Sequence, residues 1–383
     1  MNRPRILVAG AGPVGLALAC ACRDFDVTLF EAVAEPPAPK EDYDLRIFAL
    51  SSGTRSFLRD IGAWDLLDAR RIAAVRRMEV FGGEGARLSF SGRAGSALAW
   101  IVEAGRLSHA LAAHAATIPQ LTARHGKRAT AFEADAAGAA ITLEDGERVA
   151  GDLLVGADGP DSRVRTMLGL EAEEKPYGED AIVANFETEK EHGECARQWF
   201  RADGVLAWLP LPGKRISIVW SAQSAVADEL AALDQGALEK RVRDAGGAAL
   251  GDLRLISRVA RFPLRLIRVD RVVAPGVALV GDAAHGIHPL AGQGVNLGFQ
   301  DARVLAEELS GRSPVERVGD LRVLRRYARN RREDVTAMQF VTDSLDKLFA
   351  AEGKRASWLR DAGLKLVDGQ SLLKEALADR AMR

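Results

Sequence analysis

Arg5-Ile6-Leu7-Val8-Ala9-Gly10-Ala11-Gly12-Pro13-Val14-Gly15 is the stretch on which the fold turns. Its apolar start reads as a buried parallel strand, and its three glycines lead into a helix rich in alanine and leucine. Val27–Phe30 reads as a second strand, ending at Glu31, sixteen positions after Gly15. Strand, glycine turn, helix, strand and terminal acid together form the βαβ dinucleotide fingerprint. Gly10 and Gly12 let the turn approach a pyrophosphate, and Gly15 lets the helix pack on the strand. Glu31 stands where an acid accepts the adenosine ribose hydroxyls and disfavours a 2′-phosphate, so the expected nucleotide is of the NAD or FAD adenosine type. A glycine-rich structural turn would not account for the placed acid. A signal peptide would explain Arg3 and Arg5 before the apolar run Ile6–Cys22, but not the spaced glycines or the continuation of fold after them.

Val277–Gly298 carries a second pattern, V-A-L-V-G-D-A-A-H-G-I-H-P-L-A-G-Q-G-V-N-L-G. An apolar run ends in Gly281-Asp282, a loop follows, and Gly292-Gln293-Gly294 opens a helix. An aspartate beside a helix N-terminus suits a polyhydroxylated, partly anionic ligand: the carboxylate accepts from hydroxyls while free helix N–H groups point at negative charge. His285 and His288 lie in this loop. His285 reads as hydrogen-bonded within it, the direction of His288 is open, and neither is assigned a catalytic role.

At 383 residues, 48% of them hydrophobic, the chain is long enough for two domains. Its 52 Lys+Arg against 53 Asp+Glu leave a net charge of −1, so no global field draws nucleic acid. Cys20, Cys22 and Cys195 form neither a disulfide framework nor a metal-ligand set, so no metal is expected and the setting reads as a reducing cytoplasm. No apolar run reaches the ~20 residues that span a bilayer.

Along the chain, Glu35–Lys40 is a proline-rich loop, and Arg46 faces phosphate or is an ordinary surface arginine. Ser52 to about Asp68 reads as a helix with a break at Gly62-Ala63. Met78–Phe81 and Leu88–Phe90 read as strands of a different sheet, Arg106–Ala116 as a helix, and Ala129–Glu133 with Ala139–Leu143 as a hairpin. Leu153–Asp158 is another buried strand ending in an acid. Ala181–Thr188, Ala196–Phe200, Val205–Leu209 and Ile216–Ser221 are strands, Ser224–Ala245 is helical, and Leu253–Phe262 and Leu264–Val269 are strands again. Val315–Arg383 is largely helical. Its arginines between Arg322 and Arg332 and its stripe Val341, Leu345 and Leu348 read as a solvated face and as packing, or as a surface that meets lipid. The expected fold is α/β: a Rossmann-type domain with a parallel sheet, an inserted α+β domain with a mostly antiparallel sheet, and a helical tail. The expected borders are 1–75, 101–175 and 265–315 for the first, 76–100 and 176–264 for the second, and 316–383 for the tail.

Gly10–Gly15, the A-D-G-x-x-S-x-V-R segment Ala157–Arg165 and the G-D-A-A-H segment Gly281–His285 form an ordered trio. In that order the chain resembles the FAD-dependent aromatic hydroxylases of the para-hydroxybenzoate hydroxylase type, over nearly its whole length. His288–Gly298, Gln198-Trp199-Phe200 with Asp203–Leu211, and Val341–Leu345 with Leu348-Phe349 resemble the ubiquinone-biosynthesis branch of that family. Where relatives often carry a polar residue, this chain has Ala104, which puts one flavin contact in doubt; Arg106 replaces it from a neighbouring position, or nothing does. Pro160 and Asp161 replace small or amide residues of the middle motif.

The resemblance implies an FAD cofactor held by Gly10, Gly12, Gly15, Glu31, Arg46, Arg106, Asp158, Asp282, Pro289, Gly292, Gln293, Gly294, Val295 and Asn296. Asp282 would hold the ribityl chain, and Gly292–Asn296 would set helix-end N–H groups at the flavin N1–C2 edge. The implied reaction is ring hydroxylation of a polyprenylated phenol or quinone precursor through a flavin C4a-hydroperoxide, with O2 as co-substrate and NAD(P)H or a partner reductase as electron source. The flavin carries the chemistry, so no catalytic side chain is named. The implied partners are a hydrophobic aromatic substrate and either a biosynthetic complex or a membrane surface met by the C-terminal helices. The competing expectations are a catabolic hydroxylase of a small aromatic acid, marked by a convergent arginine or serine pair, and a flavin-binding scaffold without turnover.

Overall fold

The computed structural model describes residues 3–35, 38–82, 87–92, 95–287 and 293–350, with side chains to Ser344. Its first sheet has six strands, in the order Val273–Ala274, Val277–Leu279, Leu153–Gly156, Arg5–Ala9, Asp26–Phe30 and Leu121–Arg124. All neighbours run parallel except the edge strand Val273–Ala274. Ile6, Leu7 and Val8 are fully buried, as a strand covered on both faces requires. Each such side chain contributes roughly 1.5–3 kcal/mol through burial. Helices Pro13–Ala21, Ala104–Ala115 and Gly294–Ser310 cover one face through Leu16, Leu107, Leu111 and Leu305. A three-stranded antiparallel sheet, Ala129–Ala134, Ala139–Leu143 and Arg148–Gly151, packs Phe132 and Ile141 on the other.

The second large sheet has nine strands. Its main path runs His285–Gly286, Ala260–Val269, Ala172–Thr188, Arg215–Gln223, Gly204–Leu211, Cys195–Arg201, Arg77–Phe81 and Arg87–Ser91, with Leu253–Leu255 beside Ala172–Thr188. Every pairing is antiparallel except that of Cys195–Arg201 with Arg77–Phe81. Helices Ser224–Ala232 and Gln235–Ala245 cover the face carrying Ile182, Leu206, Trp208, Ile218 and Trp220. The alternating residues Met78, Ala196, Leu209 and Leu211 face a small sheet of Ile47–Leu50, Ala73–Val75 and Ala99–Glu103. This small sheet lies between the two large ones.

Several elements differ from expectation. The helix from Ser52 ends at Asp60, and two 3-10 turns, Trp64–Leu66 and Ala69–Arg71, follow it, because Gly62 takes a left-handed φ of 88°. Ser224–Ala245 divides because Leu233 leaves the helix extended and Asp234 caps the next one, its side chain accepting from the Ala237 N–H at 2.8 Å. The strand break expected at Pro263 falls instead between Leu255 and Ala260. All three cysteines are buried free thiols, and burial pushes those of Cys20 and Cys22 up to about 12. Among the described residues, no helix is long and apolar enough to cross a membrane, and no cluster of His, Cys, Asp and Glu could hold a metal.

Candidate functional site

At the glycine turn, each glycine has its own reason. Gly10 takes φ 106°, and a Cβ there would lie 2.4 Å from the Ala157 carbonyl oxygen. A Cβ on Gly15 would lie 2.1 Å from the Gly10 carbonyl oxygen, while one on Gly12 would meet nothing within 4 Å. The turn is thus closed behind Gly10 and Gly15 and open in front of Gly12, beside the first N–H groups of helix Pro13–Ala21. An anionic phosphate bridge fits that opening. Glu31 accepts from the Ala11 N–H at 2.8 Å and from the Val33 N–H at 3.1 Å, so it braces the turn while retaining lone pairs for ribose hydroxyls.

Facing this cradle, strand Val277–Leu279 runs into the 3-10 turn Gly281–Ala283, which carries the half-buried Asp282. Its carboxylate accepts no hydrogen bond from the described residues, and its charge acts on the nearby His285. Helix Gly294–Ser310 starts next to it, with Gln293 as its N-cap and no acid in its first turn to consume the free N–H groups. Asn296 pins that helix end: it accepts from the Ser51 N–H at 3.0 Å and donates to the Ala49 carbonyl at 2.9 Å. Gly298 permits close packing here, since a Cβ would lie 2.7 Å from a Val14 methyl. An unpartnered carboxylate beside an acid-free helix end suits a polyol chain and an anionic ring edge, so these residues fit a flavin. Gly294 and Val295 lie in the first turn, whereas His288, Pro289 and Gly292 lie outside the described residues.

Other expected contacts are arranged differently. Both oxygens of Asp158 are committed locally, to the Ser162 hydroxyl at 2.5 Å and to the N–H groups of Arg163 and Val164 at 2.8 and 3.1 Å. Arg46 is exposed, with its guanidinium over the Phe48 ring. Arg106 donates to the buried Glu103 at 3.0 Å and to the Lys40 carbonyl at 2.7 Å. Arg71 holds the same Glu103 through two bonds of 2.9 Å while stacking over Tyr43. Asp44 receives the Gly105 N–H at 2.9 Å, and Asn185 reaches across from the nine-stranded sheet to the Asp44 carbonyl at 3.0 Å. An open concavity of about 430 Å3 lies over this cluster.

His285 reaches beyond its loop. It pairs with Asp301 at 2.6 Å, sixteen residues on, and Arg331 holds the other Asp301 oxygen at 2.8 Å. The reciprocal charges raise the pKa of His285 and hold the Asp301 carboxyl below its ordinary value, despite burial. Neither Asp301 nor Arg331 stands out in the sequence. Arg331 belongs to the basic run expected to be solvated, yet it is 4% exposed.

A nucleotide cradle facing an acid-bearing turn and a helix N-terminus defines a dinucleotide flavoprotein. The chain belongs to the FAD binding domain family, whose model matches residues 3–341, and FAD is the cofactor that this site takes. It is 34% identical to the ubiquinone hydroxylase UbiL of Rhodospirillum rubrum, over 98% of this chain and 89% of that one. It is 33% identical to the 3-demethoxyubiquinol 3-hydroxylase of Escherichia coli, over 97% of each. With human COQ6, the mitochondrial ubiquinone biosynthesis monooxygenase, identity is 32% over 97% of this chain and 91% of that one. The fold is that of PqsL from Pseudomonas aeruginosa, at TM-score 0.78 and 24% identity over 95% of this chain and 100% of that one. Klebsiella pneumoniae HpxO, solved with FAD and uric acid, matches at TM-score 0.76 and 21% identity over 99% of this chain and 97% of that one. The chain is an FAD-dependent monooxygenase.

Proposed function

We propose that the chain hydroxylates the aromatic ring of a polyprenylated phenol or quinone precursor in ubiquinone biosynthesis. The observation that carries this reading is end-to-end similarity to three relatives, each named for ubiquinone hydroxylation or biosynthesis. FAD supplies the oxygen activation, with O2 as co-substrate and NAD(P)H or a partner reductase as electron donor. The chain's own residues bind and orient. Asp282 takes the ribityl hydroxyls, the first turn of Gly294–Ser310 faces the negative ring edge, and the nine-stranded sheet roofs the substrate space and keeps it dry. On the roof face, Val205, Ala207 and Val219 are half-exposed, so a small apolar strip is available to a prenyl-bearing ring.

A small aromatic acid is less well served. Arg197 is paired with Glu79, Arg201 with Asp203 and Arg215 with Glu187, while Arg258 is exposed. No convergent unpaired arginines stand under the roof among the described residues. We also read residues 1–75, 101–175 and 265–315 as the FAD-binding domain, 76–100 and 176–264 as the substrate domain, and 316–383 as a C-terminal region. Strands Ala172–Thr188 and Ala260–Val269 would then span the borders. Deleting the gene should make a precursor lacking one ring oxygen accumulate while ubiquinone falls. Unchanged quinone levels under aeration would end the reading.

A lipid-like substrate also implies a surface that meets lipid. On helix Leu321–Ala350, Arg322, Arg325 and Arg329 are exposed, without ion-pair partners among the described residues, beside an open concavity of about 620 Å3. Further along the same helix, Phe340 is 69% and Val341 47% exposed, so Val341 does not pack onto the body. Each arginine near an anionic bilayer contributes about 1 kcal/mol, so a triple change to Gln should weaken binding to anionic vesicles about 100-fold. Equal binding of both proteins in a sedimentation assay would remove this surface from consideration.

A further inference from the structure

Asp282 accepts no hydrogen bond from the described residues, so its position depends on the backbone on either side of it. That backbone is gripped at three points by one face of the long helix Leu321–Ala350. Before the loop, the buried Tyr327 hydroxyl donates to the Leu279 carbonyl at 2.8 Å. At the loop's first residue, the Gly281 N–H donates to Asp301 at 2.9 Å, and Arg331 holds that same carboxylate at 2.8 Å. Past it, Gln339 donates to the Gly286 carbonyl at 3.3 Å and to the Ile267 carbonyl of the roof strand at 2.9 Å. Residues 327, 331 and 339 are spaced by multiples of four, which puts them along one side of a helix.

A buried carboxylate is costly unless it is paired and hydrogen-bonded, and Asp301 is held by Gly281, His285 and Arg331. A hydrophobic residue could fill the same space, but it could not orient an N–H. The charge therefore serves geometry: it fixes the direction of the Val280–Gly281 peptide, one residue before Asp282. His285 is held from two sides, by Asp301 and by its strand pairing with Arg268. The turn Gly281–Ala283 is consequently framed before and after its half-buried acid.

We propose that the long C-terminal helix is a splint for the flavin-binding turn: Tyr327, Arg331 and Gln339 are positioning residues that aim the Asp282 carboxylate at the ribityl hydroxyls. This rests on the reading of Asp282 as a ribityl-binding residue. The splint governs how tightly the chain holds its cofactor without touching it. Because the helix's opposite face carries the exposed arginines, the two faces of one rod serve the cofactor and the surroundings.

The test measures FAD binding to apoprotein by quenching of flavin fluorescence. Tyr327→Phe and Gln339→Met leave the buried ion cluster intact and remove only side-chain hydrogen bonds, so the apoprotein should stay folded and melt only a few degrees lower. Each should weaken FAD binding roughly fivefold, the worth of a hydrogen bond. Arg331→Met should weaken it further, with partial recovery in Arg331→Lys. Each change is then repeated in an Asp282→Ala background, where the splint has no carboxylate left to aim, and its effect on FAD affinity should vanish. Persistence of the effects in that background, or wild-type affinity of both mild variants, would overturn the splint. Wild-type affinity of Asp282→Ala itself would instead overturn the ribityl reading, so the two failures are distinguishable.

Discussion

Gly12→Ala and Gly15→Ala are expected to fail in different ways, and the difference locates the cofactor. In Gly15→Ala the new methyl meets the Gly10 carbonyl oxygen at 2.1 Å and the Ala157 side chain at 3.1 Å. Both belong to the strand ends on which the helix Pro13–Ala21 rests, so the helix must lift. Overpacking of this kind costs about 1–3 kcal/mol, and the displaced helix N-terminus also loses its aim at the pyrophosphate. The apoprotein should melt several degrees lower and purify with little flavin. In Gly12→Ala the methyl enters open space, where nothing of the protein lies within 4 Å. Apoprotein melting should stay at the wild-type value while FAD affinity falls about tenfold or more, because the methyl occupies the place of the phosphate bridge. Melting of apoprotein and absorbance of reconstituted holoprotein separate the two. A Gly12→Ala protein that binds FAD as wild type would mean that the pyrophosphate lies elsewhere.

The glycine turn could be read in advance because its constraints are backbone constraints. Closeness of Gly15 to the Gly10 carbonyl follows from strand–helix packing that any sequence with this spacing must meet. Asp282 could be read for a related reason: a strand that delivers an acid beside a helix start is a local arrangement. What joins distant segments was not legible. His285 finds Asp301 on another helix, and Asp301 finds Arg331, thirty residues further on. The sequence around Arg331 offers only more arginine, and nothing local marks which one turns inward. Strand Ala172–Thr188 hid its first half for a different reason. Pro176 and Gly178 are breaker signals, yet the ladder to Ala260–Val269 shifts register between Pro176 and Asp180, with Gly178 at φ 73°, and then resumes. Tertiary pairing there overrides local propensity. Asp158 shows a role that the motif alone does not display: both its oxygens accept hydrogen bonds within its own turn.

Asp282→Ala should yield folded protein that purifies without its yellow colour. In the apoprotein the carboxylate is half-buried and accepts no hydrogen bond from the described residues, while its charge acts on the nearby His285. Removing it therefore relieves a desolvated charge and breaks no bond within the protein, and apoprotein melting should hold or rise slightly. In the holoprotein the same group would accept ribityl hydroxyls. Hydrogen bonds to a charged acceptor contribute about 1.5–3 kcal/mol, so FAD affinity should fall by roughly 10- to 150-fold. Asp282→Asn, which keeps one acceptor oxygen and loses the charge, should fall between the two. His285→Gln provides the contrast. It removes a partner of Asp301 inside a buried ion cluster, so it should lower the stability of apoprotein and holoprotein alike and weaken FAD binding only indirectly. Absorbance near the flavin bands, apoprotein melting and turnover of the reconstituted variants give the three readouts. An Asp282→Ala protein with full yellow absorbance and full turnover would remove the acid from the site and leave the helix end at Gly294 as the group that holds the flavin.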